Sequence, residues 1–267
     1  VIDYGGSICS HLSSSIIISV KIMKKKSFKF LISCLLAFTV TSSAFASVTI
    51  IGTRVIYPAT EKEVTVRLDN HGNQPALVQA WIDNGNPDEA LDKINVPFVL
   101  LPPVFRMEAN KGQTLRIVYT GSNLPKDKES VFWLNVLDIP PRDKSLANQN
   151  QLQMAIRSRI KIFFRPARFD AMQATEAASG LIWHQGDKAN QLTATNNSSF
   201  YVNVSQINAE DNAGRKVVSE KGEMLAPGET KSFSLKGLNA NQIKTNFHYQ
   251  YLDDYGAARN VDAKISQ

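Results

Sequence analysis

Leu152-Gln153-Met154-Ala155-Ile156-Arg157-Ser158-Arg159-Ile160-Lys161-Ile162-Phe163-Phe164-Arg165-Pro166 alternates apolar and polar side chains along much of its length. That is the period of a β-strand with two unlike faces. Leu152, Met154 and Ile156 fall on one face, and Ile160, Ile162 and Phe164 continue the same parity. At about 3.3 Å per residue, Leu152 to Phe164 would extend roughly 40 Å, well beyond an ordinary strand. The run stops at Arg165-Pro166, which makes it the last strand of its domain. Two readings follow. Its apolar side packs inward as a core strand, or the strand lies at a sheet edge, where unpaired backbone groups accept another chain.

The same alternation recurs upstream. Val48 to Ile51, Glu63 to Leu68, Ala76 to Ile82, Gln113 to Tyr119 and Val131 to Leu137 each read as a half-buried strand. Asp69-Asn70-His71-Gly72-Asn73, Asn84-Gly85-Asn86-Pro87 and Pro102-Pro103 punctuate them as turns. Seven or so strands in about 120 residues, closed by the run from Gln149 to Arg165, predict an immunoglobulin-like sandwich over residues 47–166. Pro166 to Ala178 loses the alternation and reads as a linker. A second, shorter set follows within residues 167–267: Leu181 to His184, Gln191 to Thr195, Phe200 to Val204, Thr230 to Leu235, Phe247 to Leu252 and Val261 to Ile265. Glu210 to Gly214 and Ala226-Pro227-Gly228 read as hairpin loops. The expected fold is all-β, two sandwiches in series.

Residues 23–46 have another character. Met23 precedes Lys24, Lys25, Lys26 and Lys29, then an apolar stretch from Phe30 to Val40, then Ala44-Phe45-Ala46. A basic head, a short apolar middle and a small-residue exit make a secretory signal peptide. The apolar stretch is about 11 residues, against roughly 20 for a bilayer-spanning helix, so no membrane insertion is expected after cleavage. Residues 1–22 read as an upstream translated segment. The whole chain carries 30 basic and 24 acidic residues. Beyond residue 46 these fall to 25 and 23, a net of about +2, which removes the main support for nucleic-acid binding. Cys9 and Cys34 both precede residue 47, so the exported part has no disulfide, thiolate nucleophile or cysteine metal site.

Catalytic patterns are missing as well. His71, His184 and His248 have no partner at metal-ligand spacing, and neither a G-x-S-x-G elbow nor a phosphate loop occurs. His71 sits in a turn, and Asp253-Asp254 suits ion pairing or a turn better than a carboxylate dyad or calcium site. Asn197 and Asn203 open N-x-S triplets, a glycosylation signal only in a eukaryotic secretory path. No catalytic residue, metal or cofactor is expected. Arg54 and Lys161 each interrupt an apolar run. Each either snorkels to solvent, or the two meet across the first and last strands as a fork for a carboxylate.

Several further segments carry a resemblance. Thr53-Arg54-Val55-Ile56-Tyr57-Pro58, Gln79-Ala80-Trp81-Ile82-Asp83, Val96-Pro97-Phe98, Leu101 to Arg106, Glu129 to Asn135, Ile139-Pro140-Pro141 and Ile160 to Pro166 closely resemble the periplasmic pilus chaperones, the PapD-like family. The second half matches chiefly through Tyr251-Leu252-Asp253-Asp254-Tyr255-Gly256. Lys128 stands where that family usually has Arg, keeping charge but not bidentate geometry. The short Pro141 to Gln151 connection and the lack of cysteine match the short-loop branch. The resemblance implies two immunoglobulin-like β-sandwich domains in an L- or boomerang-shaped arrangement, and a periplasmic chaperone that folds pilus (fimbrial) subunits by donor-strand complementation. By position, Arg54 and Lys161 match the anchor for a subunit's C-terminal carboxylate. Leu152, Met154 and Ile156 match the donated side chains, and Glu129, Arg165 and Asp254 match interdomain ion pairs. An outer-membrane usher is the implied second partner, and the same edges would let the free protein self-associate. The rival readings are a fimbrial subunit or adhesin, and a secreted carbohydrate-binding module; Trp81, Trp133 and Trp183 lie in strand-like runs and read as core.

Overall fold

The computed structural model describes residues 47–121, 123–141, 153–188, 190–219, 221–236 and 243–266. Residues 1–46, which hold the expected upstream segment (1–22) and signal peptide (23–46), and Leu152 lie outside the described residues. The first sandwich pairs a four-stranded sheet with a five-stranded one. In spatial order the four-stranded sheet holds β1 (Val48–Ile50), β3 (Glu63–Asn70), β7 (Gly112–Tyr119) and β5 (Phe98–Leu101). The five-stranded sheet holds β2 (Arg54–Pro58), β9 (Ile156–Arg165), β8 (Ser130–Ile139), β4 (Ala76–Asp83) and β6 (Val104–Met107). The opening segment thus changes sheets between β1 and β2, turning at Gly52, whose φ of +109° disfavours any side chain. β2 runs parallel to β9, Arg54 opposite Lys161 through Pro58 opposite Arg165.

Alternation builds this core. Val66 and Leu68, Val78, Ala80 and Ile82, Leu115 and Ile117, and Leu134 and Val136 are buried between the sheets. Tyr57, Phe98, Tyr119 and Phe164 cluster at one end, with the Tyr119 and Phe164 rings 4.5 Å apart and Tyr57 and Phe98 5.6 Å apart. Tyr57 is buried without cost to its hydroxyl, which donates to the Lys62 carbonyl at 3.0 Å and accepts from the Tyr119 amide at 3.0 Å.

The second sandwich packs β10 (Ile182–Gln185), β11 (Gln191–Thr195) and β15 (Thr230–Ser234) over a second sheet. That sheet holds β13 (Lys216–Val218), β12 (Val202–Glu210), β16 (Asn246–Leu252) and β17 (Ala258–Lys264), with β14 (Glu223–Leu225) also paired to β12. Trp183 is buried, its ring centroid 5.1 to 5.4 Å from those of Tyr249, Phe247 and Phe233. Trp81 and Trp133 differ from expectation: both are only half-buried, on the outer face of the five-stranded sheet, because their parity is opposite to that of Ile82 and Leu134.

Two other expectations need correction. The segment read as linker contains a helix, α1 (Ala171–Ser179). Asp170 caps it by accepting from the Gln173 amide at 2.8 Å while Gln173 accepts from the Asp170 amide in return, a reciprocal box that satisfies two orphan donors. Ala226-Pro227-Gly228 is not a hairpin loop. It carries the chain from β14 in one sheet to β15 in the other. Among the described residues, no helix is long and apolar enough to cross a membrane.

Candidate functional site

β9 has two halves. Lys161–Arg165 lies between β8 and β2, while Ile156–Ile160 pairs with β8 alone and leaves its other edge open among the described residues. Side chains of one parity therefore meet opposite fates. Ile162 and Phe164 are 0% and 4% exposed in the sandwich, whereas Met154 and Ile156 are 67% and 52% exposed. The inward-packing reading describes Lys161–Phe164, and Ile156–Ile160 lies at a sheet edge. The expectation of one unbroken strand from Leu152 differs from the structure: pairing begins at Ile156, and residues 153–155 have no ladder partner among the described residues.

Arg54 and Lys161 face each other at the rung where the open edge begins. The Arg54 guanidinium donates to the Leu252 carbonyl at 3.0 Å and lies 5.8 Å from the centroid of the Phe163 ring. Its Nε is buried without a hydrogen-bond partner. Lys161 donates from Nζ to Asn203 Oδ1 at 2.7 Å. Neither cation forms an ion pair with a carboxylate among the described residues, whereas neighbouring Arg159 and Arg165 both do. Burial pulls the Arg54 guanidinium below its ordinary pKa, against the attraction of Asp254 and Asp253. Burial also lowers Lys161, with repulsion from Arg54 and then Lys231 adding to it. Two half-buried positive charges satisfied only by neutral oxygens are underpaired, and an incoming carboxylate would relieve them. They open on a cleft of about 340 Å³, also lined by Thr53, Trp133, Arg159 and Leu252.

Beyond Arg54 and Lys161, Arg165 joins the two sandwiches. Its Nε donates to Glu129 Oε1 at 2.8 Å, and Nη1 and Nη2 grip both oxygens of Asp254 at 2.7 and 2.9 Å. Glu129 is itself buried, accepting the Tyr201 amide at 2.9 Å, and its own amide donates to the Ser199 carbonyl. Asp253 acts locally instead. Its Oδ1 accepts the Tyr255 and Ala257 amides and shapes the turn between β16 and β17. That turn seats on the crossover between β1 and β2, since a Cβ on Gly256 would collide with Thr53 Oγ1.

Comparison with known proteins gives this architecture a family. Residues 47–170 match the model for the pili and flagellar-assembly chaperone PapD N-terminal domain, and residues 176–263 match that for the pili assembly chaperone PapD C-terminal domain. The chain belongs to the PapD-like pili assembly chaperones. The probable fimbrial chaperone YadV of Escherichia coli is 39% identical over 232 residues, covering 84% of this chain and 92% of that protein. The chaperone protein FimB/FhaD of Bordetella pertussis is 40% identical, with 84% and 90% covered. The crystal structure of YadV superposes with a TM-score of 0.69 at 38% identity, covering 82% of this chain and all of that one. The SafB chaperone of Salmonella enterica, in complex with the SafA pilin, gives 0.68 at 26% identity, with 84% and 99% covered.

Sequence reasoning missed several residues that hold or line this candidate site. Asn203, noted only as part of an N-x-S triplet, holds Lys161. The Leu252 carbonyl holds Arg54, a backbone role that no residue type announces. Arg159 lines the cleft half-buried and pairs with the buried Asp83 behind it; its signal was a third cation, two residues before Lys161 on the same strand face.

Proposed function

We propose that the chaperone captures a pilus subunit through its open strand, with Arg54 and Lys161 gripping the subunit's C-terminal carboxylate. The observation that supports this is the pair of carboxylate-free cations at the rung where β9 passes from covered to open. A chain end fixed there sets the register of a strand pairing along Ile156–Ile160 and the extended residues before it. Met154 and Ile156 would fill the groove of a subunit that lacks its own last strand. Two such side chains contribute about 1.5–3 kcal/mol each before ordering costs. The clamp contributes register and specificity more than net affinity. Handing the subunit to an outer-membrane usher exchanges one strand for another and needs no nucleotide. Export through a leader at residues 23–46 would place the chaperone in the periplasm.

Co-expression with a pilus subunit, followed by purification, tests the reading. The wild-type chain should recover a one-to-one complex of an otherwise insoluble subunit. Arg54→Ala, Lys161→Ala, or a subunit extended by several residues at its C-terminus should abolish recovery while the chaperone stays folded. Normal recovery in all three would remove the carboxylate clamp.

A further inference from the structure

Among the described residues, the open half of β9 has a strand on one side only, yet its two arginines are tied down. Arg159 reaches across β8 to Asp83 at the end of β4, donating from Nε at 3.2 Å and from Nη2. Its guanidinium lies 4.8 Å from the centroid of the Trp133 ring. Asp83 is buried and has further partners, accepting from Asn135 Nδ2 at 2.7 Å and the Gly85 amide at 2.7 Å. Arg157, two residues earlier, donates to the Pro87 carbonyl at 2.9 Å. Gly85 closes over the indole, where an added Cβ would come within 3.0 Å of Trp133 Cζ3. The two arginines alternate with Ile156 and Ile160. They fold back over their own sheet and leave the backbone edge and the apolar row unobstructed.

A strand with a single neighbour frays, and fixing a frayed backbone costs conformational entropy at the moment of pairing. We propose that Asp83 is a positioning residue: through Arg159, reinforced by Arg157, it keeps the open half of β9 extended in the free chaperone. The side-chain ties replace the missing neighbour without occupying the edge that a subunit must use. This rests on the reading of β9 as the lent strand.

The test is amide hydrogen exchange on the free full chain, alongside subunit recovery. Asp83→Asn/Arg159→Met removes both charges at once, leaving no lone buried ion. Exchange of the β8-bonded amides within 156–160 should rise about tenfold, with 162–164 unchanged, and the rate of subunit capture should fall. Arg157→Met, at an exposed position, should give a smaller rise of about threefold and leave the melting temperature near wild type. Wild-type exchange at 156–160 in both variants, whatever happens to the melting temperature, would overturn the proposal. Lys161→Ala separates the two readings: it should lose capture with exchange unchanged. A wild-type chain that captures no subunit would sink the donor reading, while the exchange arm would still decide the role of Asp83.

Discussion

Lys161 is held below the ordinary lysine value of 10.5 by burial first, then by its proximity to Arg54 and Lys231. Only the ammonium form can grip a carboxylate. Subunit capture should therefore be full below the depressed pKa and fade as pH rises through it, before an ordinary lysine would titrate. Lys161→Arg, which stays charged, should abolish that alkaline fade. Binding measured over the range from about pH 7 to about pH 10 checks both; an identical fade in the two proteins would assign it to another group. The two cations were legible because each breaks an apolar run. Their holders were not. Asn203 lies 42 residues from Lys161, and Leu252 lies 198 from Arg54, in another sandwich. Local pattern carries no trace of such partners.

The contrast within β9 belongs to the element. Met154→Glu should change stability by no more than about 0.5 kcal/mol, because its side chain already faces solvent, while capture collapses. Ile162→Ala, on the same parity, should cost about 2–5 kcal/mol through the cavity it leaves. Thermal melts of the two variants with the recovery assay check the pair; a large melting drop for Met154→Glu would place that side chain in the chaperone's own core. Parity was readable in the sequence, but the boundary was not, because it depends on how far β2 extends along its neighbour. The helix Ala171–Ser179 escaped for a different reason: Asp170 and Gln173 form a recognisable start signal, but the short helix buries only Ala177 and Ala178 and shows no strong apolar stripe.

For the whole molecule, the node at Arg165 ties the first sandwich to both Tyr201 and Asp254 of the second. Arg165→Ala strands Glu129 as a buried carboxylate and should cost about 3–5 kcal/mol. Asp254→Asn, which leaves the buried half of the node intact, should cost about 1–2 kcal/mol. Denaturation midpoints check the order, and X-ray scattering should show a broader spread of interdomain angles for Arg165→Ala. The residues of this node carried a family resemblance, but their joint geometry needed both sandwiches in place. The crossover at Gly52 sets something further. Because the parallel ladder stops at Arg54 and Lys161, the proposed point of carboxylate capture and the first residue proposed to be lent are one covalent distance apart, like a ruler with its zero stamped on it. Two residues inserted between Ile156 and Lys161 would move every lent side chain by about 6.6 Å along its guest, and one residue would turn the lent row to face away. Under the proposed clamp, the spacing from charge to methionine is the reading frame in which a guest chain would be measured.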